Sequence, residues 1–363
     1  MRISLFLTLV LQLVLSQERT FEVHPYGRIG TDKNLTASTR LGDLDGDGDM
    51  DIVVANGRHW SEQNRVFFND GKGFFRRSIS LGAERNTTYV TLMVDIDNDG
   101  DLDVLVGNDR IRNQVFKNDG SGNLVFDHYF GFQISNTRGL CAADLNGDGF
   151  VDVAVANRQG QNYIYFNNGK GNYADAKSFG GPKEATITIA AADMDGDGSM
   201  DLVLANRDGQ PNYIYFGSKF VKKITYGTGS DESRDVDVGD MDGDGQLDIV
   251  VANIGDRNMI YYGSNKRSYI RSKAFGDPAA ATHSIMLADL NRNGNIDIVV
   301  GNKGQRNHYY LNNKKELMKY TFGQKDGDTY GVTIGNLDGD AYPDIVTANS
   351  GGWNIIYYNR PPK

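Results

Sequence analysis

Seven nine-residue stretches place oxygen-bearing side chains at alternating positions: DLDGDGDMD (43–51), DIDNDGDLD (95–103), DLNGDGFVD (144–152), DMDGDGSMD (193–201), DMDGDGQLD (240–248), DLNRNGNID (289–297) and NLDGDAYPD (336–344). Positions 1, 3, 5 and 9 are Asp43, Asp45, Asp47 and Asp51 in the first loop, then Asp95, Asp97, Asp99 and Asp103, and Asp144, Asn146, Asp148 and Asp152. The later loops supply Asp193, Asp195, Asp197 and Asp201; Asp240, Asp242, Asp244 and Asp248; Asp289, Asn291, Asn293 and Asp297; and Asn336, Asp338, Asp340 and Asp344. Position 7 carries Asp49, Asp101, Phe150, Ser199, Gln246, Asn295 and Tyr342. No side-chain type is shared there, as expected where only the backbone carbonyl is used. Position 6 is glycine except at Ala341, which suits a sharp turn. Hard oxygen ligands at alternating positions around such a turn are the chemistry of a calcium loop. It is not an EF-hand, because no acid stands at position 12 and a strand-like run follows.

One such loop could be an acidic surface turn. Seven in one register could not, since carboxylates crowded in a loop repel unless a cation pairs them. The loops hold 26 of the 47 acidic residues of a chain with formal net charge −9. Up to seven Ca2+ ions, one per loop, would turn that charge positive, so the acidity reads as a metal site and not as a signal for a cationic partner. The sixth loop, with Asn291 and Asn293, and the seventh, with Asn336 and Ala341, have fewer carboxylates and are expected to bind most weakly.

The loops begin 52, 49, 49, 47, 49 and 47 residues apart, a period that marks a repeat architecture. Each is preceded by a small-residue segment such as TITIAAAD and followed by a β-branched run ending in Asn, such as DIVVAN. An aromatic run such as NYIYF follows, then a fourth segment often ending Phe-Gly or Tyr-Gly. Four strand-length segments per repeat predict an all-β, seven-bladed propeller of four-stranded antiparallel blades. The last repeat stops after its third strand, and FEVHPYG (21–27) resembles a fourth-strand end. The N-terminal strand is therefore expected to join the last blade and close the ring, hiding a sheet edge.

Residues 1–16, MRISLFLTLVLQLVLS, read as a signal peptide, which leaves 17–363 as a single propeller domain of a secreted protein. No other segment is apolar enough to span a membrane. With one cysteine, Cys141, there is no internal disulfide, and its place in LCAAD marks it as a buried small residue and not a nucleophile. Asn34 and Asn86 open N-glycosylation sequons.

DxDGDGxxD together with the Phe-Gly endings at Phe179-Gly180, Phe275-Gly276 and Phe322-Gly323 resembles the FG-GAP/VCBS repeat family, the seven-bladed calcium-binding propeller also found at the head of integrin α subunits. The likeness covers about residues 20–360. It implies a binding or adhesion module; relatives include adhesion receptors, lectins and propellers attached to enzymes, and fold does not choose among them. In that resemblance the ligand face lies opposite the calcium loops, where strands two and three are joined. Unlike an integrin subunit, the chain is expected to carry no stalk, inserted domain or membrane span.

The two-to-three loops are rich in Arg, and both tryptophans, Trp60 and Trp353, fall in them, in the first and seventh repeats. Arg58, His59, Trp60 and Trp353 are therefore the candidate ligand residues, suited to sugar stacking or a peptide anchor; a tryptophan packed on its own blade is the plainer alternative. The same face carries acids such as Glu184, Asp231 and Glu232, so nucleic acid is a poor fit. No nucleophile elbow, Cys–His pair or nucleotide fingerprint is present, and no free carboxylate pair stands out. The function expected is a secreted binding or adhesion module for an extracellular glycan or protein, not an enzyme. The alternative is a lyase-like enzyme acting on a uronic polysaccharide. Nothing in the sequence fixes an oligomeric state.

Overall fold

The computed structural model describes residues 18–132, 134–264 and 267–362; residues 1–16, expected to be a signal peptide, lie outside them. Among the described residues the regular elements are all strands, and no helix is long and apolar enough to cross a membrane. In each repeat the DIVVAN-type run forms a strand buried at every position, as at Asp51–Asn56 and Asp201–Asn206. Such a strand has no solvent face, so its side chains are apolar in succession instead of alternating. The aromatic run forms the third strand, and the mostly exposed fourth strand lies outermost, as at Val125–Phe130. The first strands touch in cyclic order: those starting at Thr36, Thr88 and Thr137, the inner part of Asp175–Ala192, and those starting at Ser233, Thr282 and Thr329, the last meeting the first again. The fold is a β-propeller around a central channel.

Apolar clusters fill the spaces between consecutive repeats. Ile52 and Val54 pack toward the last repeat with Val346 and Ile356, while Val53, between them, packs toward the second with Val104 and Phe116. Each second strand thus feeds two cores through the two-residue period of β structure. The Phe-Gly endings have a matching explanation. Phe130, Phe179, Phe275 and Phe322 meet Tyr165, Tyr215, Tyr310 and Tyr357 of the next repeat edge-on, at 5.0–5.6 Å between ring centroids. The glycine that follows takes φ of +73 to +82°, turning the chain where a Cβ would be strained.

Two expectations need correction. Seven separate four-stranded sheets do not form: there are six, five of them four-stranded and one six-stranded. The third and fourth repeats are joined because Asp152–Phe166 runs through the short RQGQ loop and Asp175–Ala192 runs from an outer strand into the next inner one. The Arg158–Ala185 and Gly160–Glu184 pairs carry the ladder across the join. The N-terminal strand, Thr20–Ile29, does pair with Asn354–Arg360 at the outer edge of the last sheet, but its register differs from that expected. An irregularity between Val23 and Arg28 leaves Tyr26 71% exposed, and Ile29-Gly30 takes the Phe-Gly position, with Ile29 buried and Gly30 at φ +76°.

Candidate functional site

The acidic loops share one backbone path. Positions 4 and 6 have positive φ in all seven, at glycine in most but also at Asn98, Arg292 and Ala341. In the first six loops the position-1 aspartate accepts the N–H of the position-6 glycine at 2.7–3.0 Å. Position 9 is buried in every loop and braces the hairpin. One oxygen of Asp201 accepts the Met194 N–H at 2.9 Å, the other the Gly217 N–H at 2.7 Å; Asp51 holds Leu44 and Asn69 in the same way. Burial pushes these carboxyls up, to about 6 for Asp51, Asp103, Asp152, Asp201 and Asp248 and to about 7 for Asp297 and Asp344.

Carboxylate oxygens converge within 4.8 Å of one another in four loops: Asp43, Asp45 and Asp51; Asp95, Asp97 and Asp99; Asp193, Asp195 and Asp197; Asp240, Asp242 and Asp248. Asp45 Oδ1, Asp95 Oδ1 and Asp97 Oδ1 are buried with no hydrogen-bond donor. An all-oxygen donor set with unanswered buried oxygens fits a hard divalent cation. Nearby cations answer part of the charge: Arg77 meets Asp45 and Lys117 meets Asp97, at 2.9 and 2.8 Å, and Arg271 pairs with Asp242. In the third loop Asn146 donates to Asp148 at 2.9 Å, and in the seventh Arg360 pairs with Asp338 and Asp340.

Hydrogen bonds tie each repeat to the next at both ends. On the loop side, Asn118 donates to the Leu44 carbonyl and Asn167 to that of Ile96, at 2.8 and 2.7 Å. On the opposite side, the Asn56 N–H donates to Asn64 Oδ1, Asn64 Nδ2 to Thr88 Oγ1, and Thr88 Oγ1 to Asn108 Oδ1, at 2.8–2.9 Å. The same relay crosses the ring closure, where Asn354 Nδ2 donates to Thr36 Oγ1 at 3.0 Å. This accounts for the asparagines that end second strands and open third ones.

Beyond that relay lies the channel mouth, a cavity of about 370 Å3. Its wall is set by one register: the residue after the Thr or Ser that opens each first strand. Tyr89, Arg138, Ile187, Arg234, His283 and Tyr330 hold that position in six repeats and all line the cavity. The two-to-three loops add Arg58, His59, Arg158, Arg207 and Lys303. Of the residues expected to bind ligand, Arg58 and His59 are thus at the mouth. Arg58 lies 3.7 Å from the Tyr330 ring centroid and donates to Ser350 Oγ at 2.7 Å; His59 Nε2 is 2.7 Å from the Tyr89 hydroxyl. Trp60 is 71% exposed, whereas Trp353 is partly buried against the core between the sixth and seventh repeats, 5.5 Å from Arg28. The two tryptophans share no ring contact among the described residues. The first-strand residues were missed in the sequence; their signal was a variable residue after a constant Thr or Ser.

Deeper in the channel a second cavity, of about 320 Å3, is lined by first strands of all seven repeats. There Asp235 and Asp237 accept the Ile285 and Leu287 N–H groups of the next repeat, each at 2.9 Å, with Arg40 in electrostatic reach of both. Cys141 is partly buried, and burial pushes its thiol up to about 11, which removes it as a nucleophile. Of the sequon residues, Asn34 is half-buried. Asn86 is 4% exposed and donates to Gln114 Oε1 at 2.9 Å, a bond that a glycan would displace.

An FG-GAP-like repeat model matches residues 43–106, 95–155, 144–204, 193–251, 240–300 and 289–347. No curated protein matches. Among solved structures, BBS1N in complex with ARL6DN is similar at 13% identity and TM-score 0.64, over 95% of this chain and 97% of that one. The Dos1 propeller is similar at 11% identity and TM-score 0.63, over 92% and 95%. Chaetomium thermophilum Raptor is similar at 14% identity and TM-score 0.62, over 97% of this chain and 30% of that one. At these identities the likeness establishes the fold alone.

Proposed function

Because the chain belongs to the FG-GAP-like repeat family, we propose that it is a secreted, calcium-stapled propeller that works as a binding module, holding an extracellular glycan or protein at the mouth of its channel. The observation that carries this reading is the mouth itself: a cavity of about 370 Å3, of ligand-pocket size, built from separate repeats at one register. A structure similar to this chain is that of BBS1N in complex with ARL6DN, which keeps a protein ligand beside the glycan. We count the six-stranded sheet as two blades joined by continuous strands; the cyclic order of the first strands supports a sevenfold ring.

Calcium is the scaffold part of the proposal. The first, second, fourth and fifth loops have the converging oxygens and bind most tightly; the sixth and seventh bind most weakly. Side chains at positions 1, 3, 5 and 9 and the carbonyl at position 7 would hold the ion, which supplies the charge that lets the hairpin tips stay compact. Titration calorimetry of the metal-free protein is expected to resolve at least four tight sites. No heat on adding Ca2+ would remove the metal from the proposal. Secretion predicts a mature protein starting at Gln17, read by N-terminal sequencing of material from a secreting host.

The module reading is tested on an array of glycans and extracellular proteins, with calcium and with chelator. Calcium-dependent capture of a defined ligand supports it. No capture, together with unsaturated product from a uronic polymer, would replace it with the lyase reading, whose one favouring observation is His59 and Tyr89 in contact beside arginines.

A further inference from the structure

The mouth holds more positive charge than its own carboxylates answer. Arg138 is paired with Asp109 at 2.8 Å, Arg158 with Asp208 at 2.8 Å and Arg207 with Glu232 at 3.3 Å. Arg58, Arg234 and Lys303 have no carboxylate within ion-pair distance among the described residues. They gather around two rings. The Arg58 guanidinium lies 3.7 Å and the Lys303 ammonium 5.9 Å from the Tyr330 centroid, and the His283 ring is 4.4 Å from that same centroid. Arg234 is one repeat away, at the register His283 occupies.

The donors there are unspent. Arg58 Nε and His283 Nδ1 are buried with no hydrogen-bond partner. Burial, and then the charges of Arg234, Lys303, Arg207 and Arg58, push His283 down to about 2, so it stands neutral among cations. Buried unpaired donors are costly unless a ligand supplies the missing acceptor, and the cations around them favour an acceptor that is negatively charged.

The main chain of the rim is already occupied. The N–H groups of Arg158, Arg207, Ile254 and Lys303 donate to the residue before the first strand of their own repeat at 2.9–3.1 Å, and that of Arg58 donates to Thr88 of the next repeat at 3.1 Å. A peptide seeking strand pairing finds no free edge there, while a ligand read by its charged substituents meets side chains alone. The exposed Trp60 adds a flat face in the adjoining loop, of the kind sugars stack on.

We propose that the mouth binds a tetrahedral oxyanion, a sulfate or phosphate ester, carried on a sugar chain, with Arg58, Arg234 and Lys303 supplying the charge and His283 a neutral donor. The inference rests on the module reading and names its ligand chemistry.

The test uses the full mature chain in calcium and three probes, measured by calorimetry across a salt series. The probes are a sulfated heparin-derived tetrasaccharide, its desulfated parent, and a mannose 6-phosphate-terminated oligosaccharide. One of the esterified sugars is expected to bind at least about tenfold more tightly than the desulfated parent, and to weaken as salt rises. Whichever ester wins identifies the source of the oxyanion. Arg234→Gln is expected to weaken binding by about tenfold or more, and the exposed Lys303→Ala by several-fold, each with an unchanged melting temperature. Lys315→Ala, in an exposed turn on the acidic-loop face, is the control and leaves binding intact. Equal binding by the Lys303→Ala and parent proteins overturns the site. Capture of a phosphopeptide with none of the sugars overturns the ligand class. A neutral glycan or a protein found on the array, with neither ester bound, overturns this inference and leaves the module reading standing; no ligand of any kind removes both.

Discussion

At the acidic-loop face, position 9 is aspartate in all seven repeats, and the same two backbone N–H groups meet it each time. At the channel mouth, the equivalent register reads Ala37, Tyr89, Arg138, Ile187, Arg234, His283 and Tyr330. Both faces are made by the same strands, so backbone geometry does not account for the contrast. A position that must satisfy a local backbone demand is met the same way in every copy. A position that faces a shared cavity is free to differ, because the seven side chains, of five types, together make one surface. Repetition marks the scaffold, and broken repetition at a fixed register marks the place where a ligand is read.

The largest expected effect concerns the scaffold face. Stripping metal removes ions bound to the native state alone, and each site held at a hundredfold its Kd contributes about 2.7 kcal/mol. A melting scan with and without chelator should therefore differ by many degrees; coincident curves would erase the distinction between the faces. Next comes a split within one loop. Asp201→Ala strands the buried Met194 and Gly217 N–H groups and is expected to cost about 3 kcal/mol by urea unfolding even without metal. Asp193→Ala should matter mainly when calcium is present. Equal losses in chelator would show that position 9 braces the hairpin no more than position 1 does.

A third effect is in pH. The position-9 carboxyls sit at about 6 to about 7 in the metal-free fold, against about 3.9 in an unfolded chain. The native state then holds protons that the unfolded chain releases. The stability these groups contribute is present below about pH 4 and is lost as pH rises through 6 to 7. Metal-free protein should unfold at lower urea at about pH 7.5 than at about pH 5, and calcium should remove the difference. A metal-free midpoint that rises over this range would contradict the burial of these groups. A smaller gain is expected from Ala341→Gly. Ala341 sits at φ +70° where the other loops have glycine, and relief should add about 1 kcal/mol and tighten the seventh loop. The smallest effect is at the mouth: Trp60→Ala should leave stability within about 0.5 kcal/mol, while ligand capture falls. A large stability loss would make Trp60 part of the core.

Much of the ring could be read in the sequence, because its signals are local. Alternating oxygens, β-branched runs and Phe-Gly endings each declare themselves within one repeat. What escaped depended on juxtaposition. Arg234 and Tyr330 are 96 residues apart and look like noise after a Ser and a Thr; the packing of three consecutive first strands makes them one wall. The N-terminal strand joins the last sheet as expected, but the likeness of FEVHPYG to a fourth-strand end puts Tyr26 in the aromatic position. The irregularity after Val23 shifts that role to Ile29, and no local pattern announces it. The joined third and fourth repeats escaped for a related reason. RQGQ looks like any polar turn until its backbone finds partners in Ala185 and Glu184.

The pairing of Thr20 with Arg360 also sets a clock on biosynthesis. The two residues are 340 positions apart, so at ordinary translation rates the first strand waits on the order of tens of seconds for its partner. Through that interval its edge is unpaired, and Val23 and Tyr26, exposed even in the finished ring, offer it no cover. The earlier repeats can stack as they emerge. The last sheet cannot be completed until residue 360 has been made, so closure is the latest step of assembly and the one most open to a wrong partner, including the free strand of a second chain at the same stage.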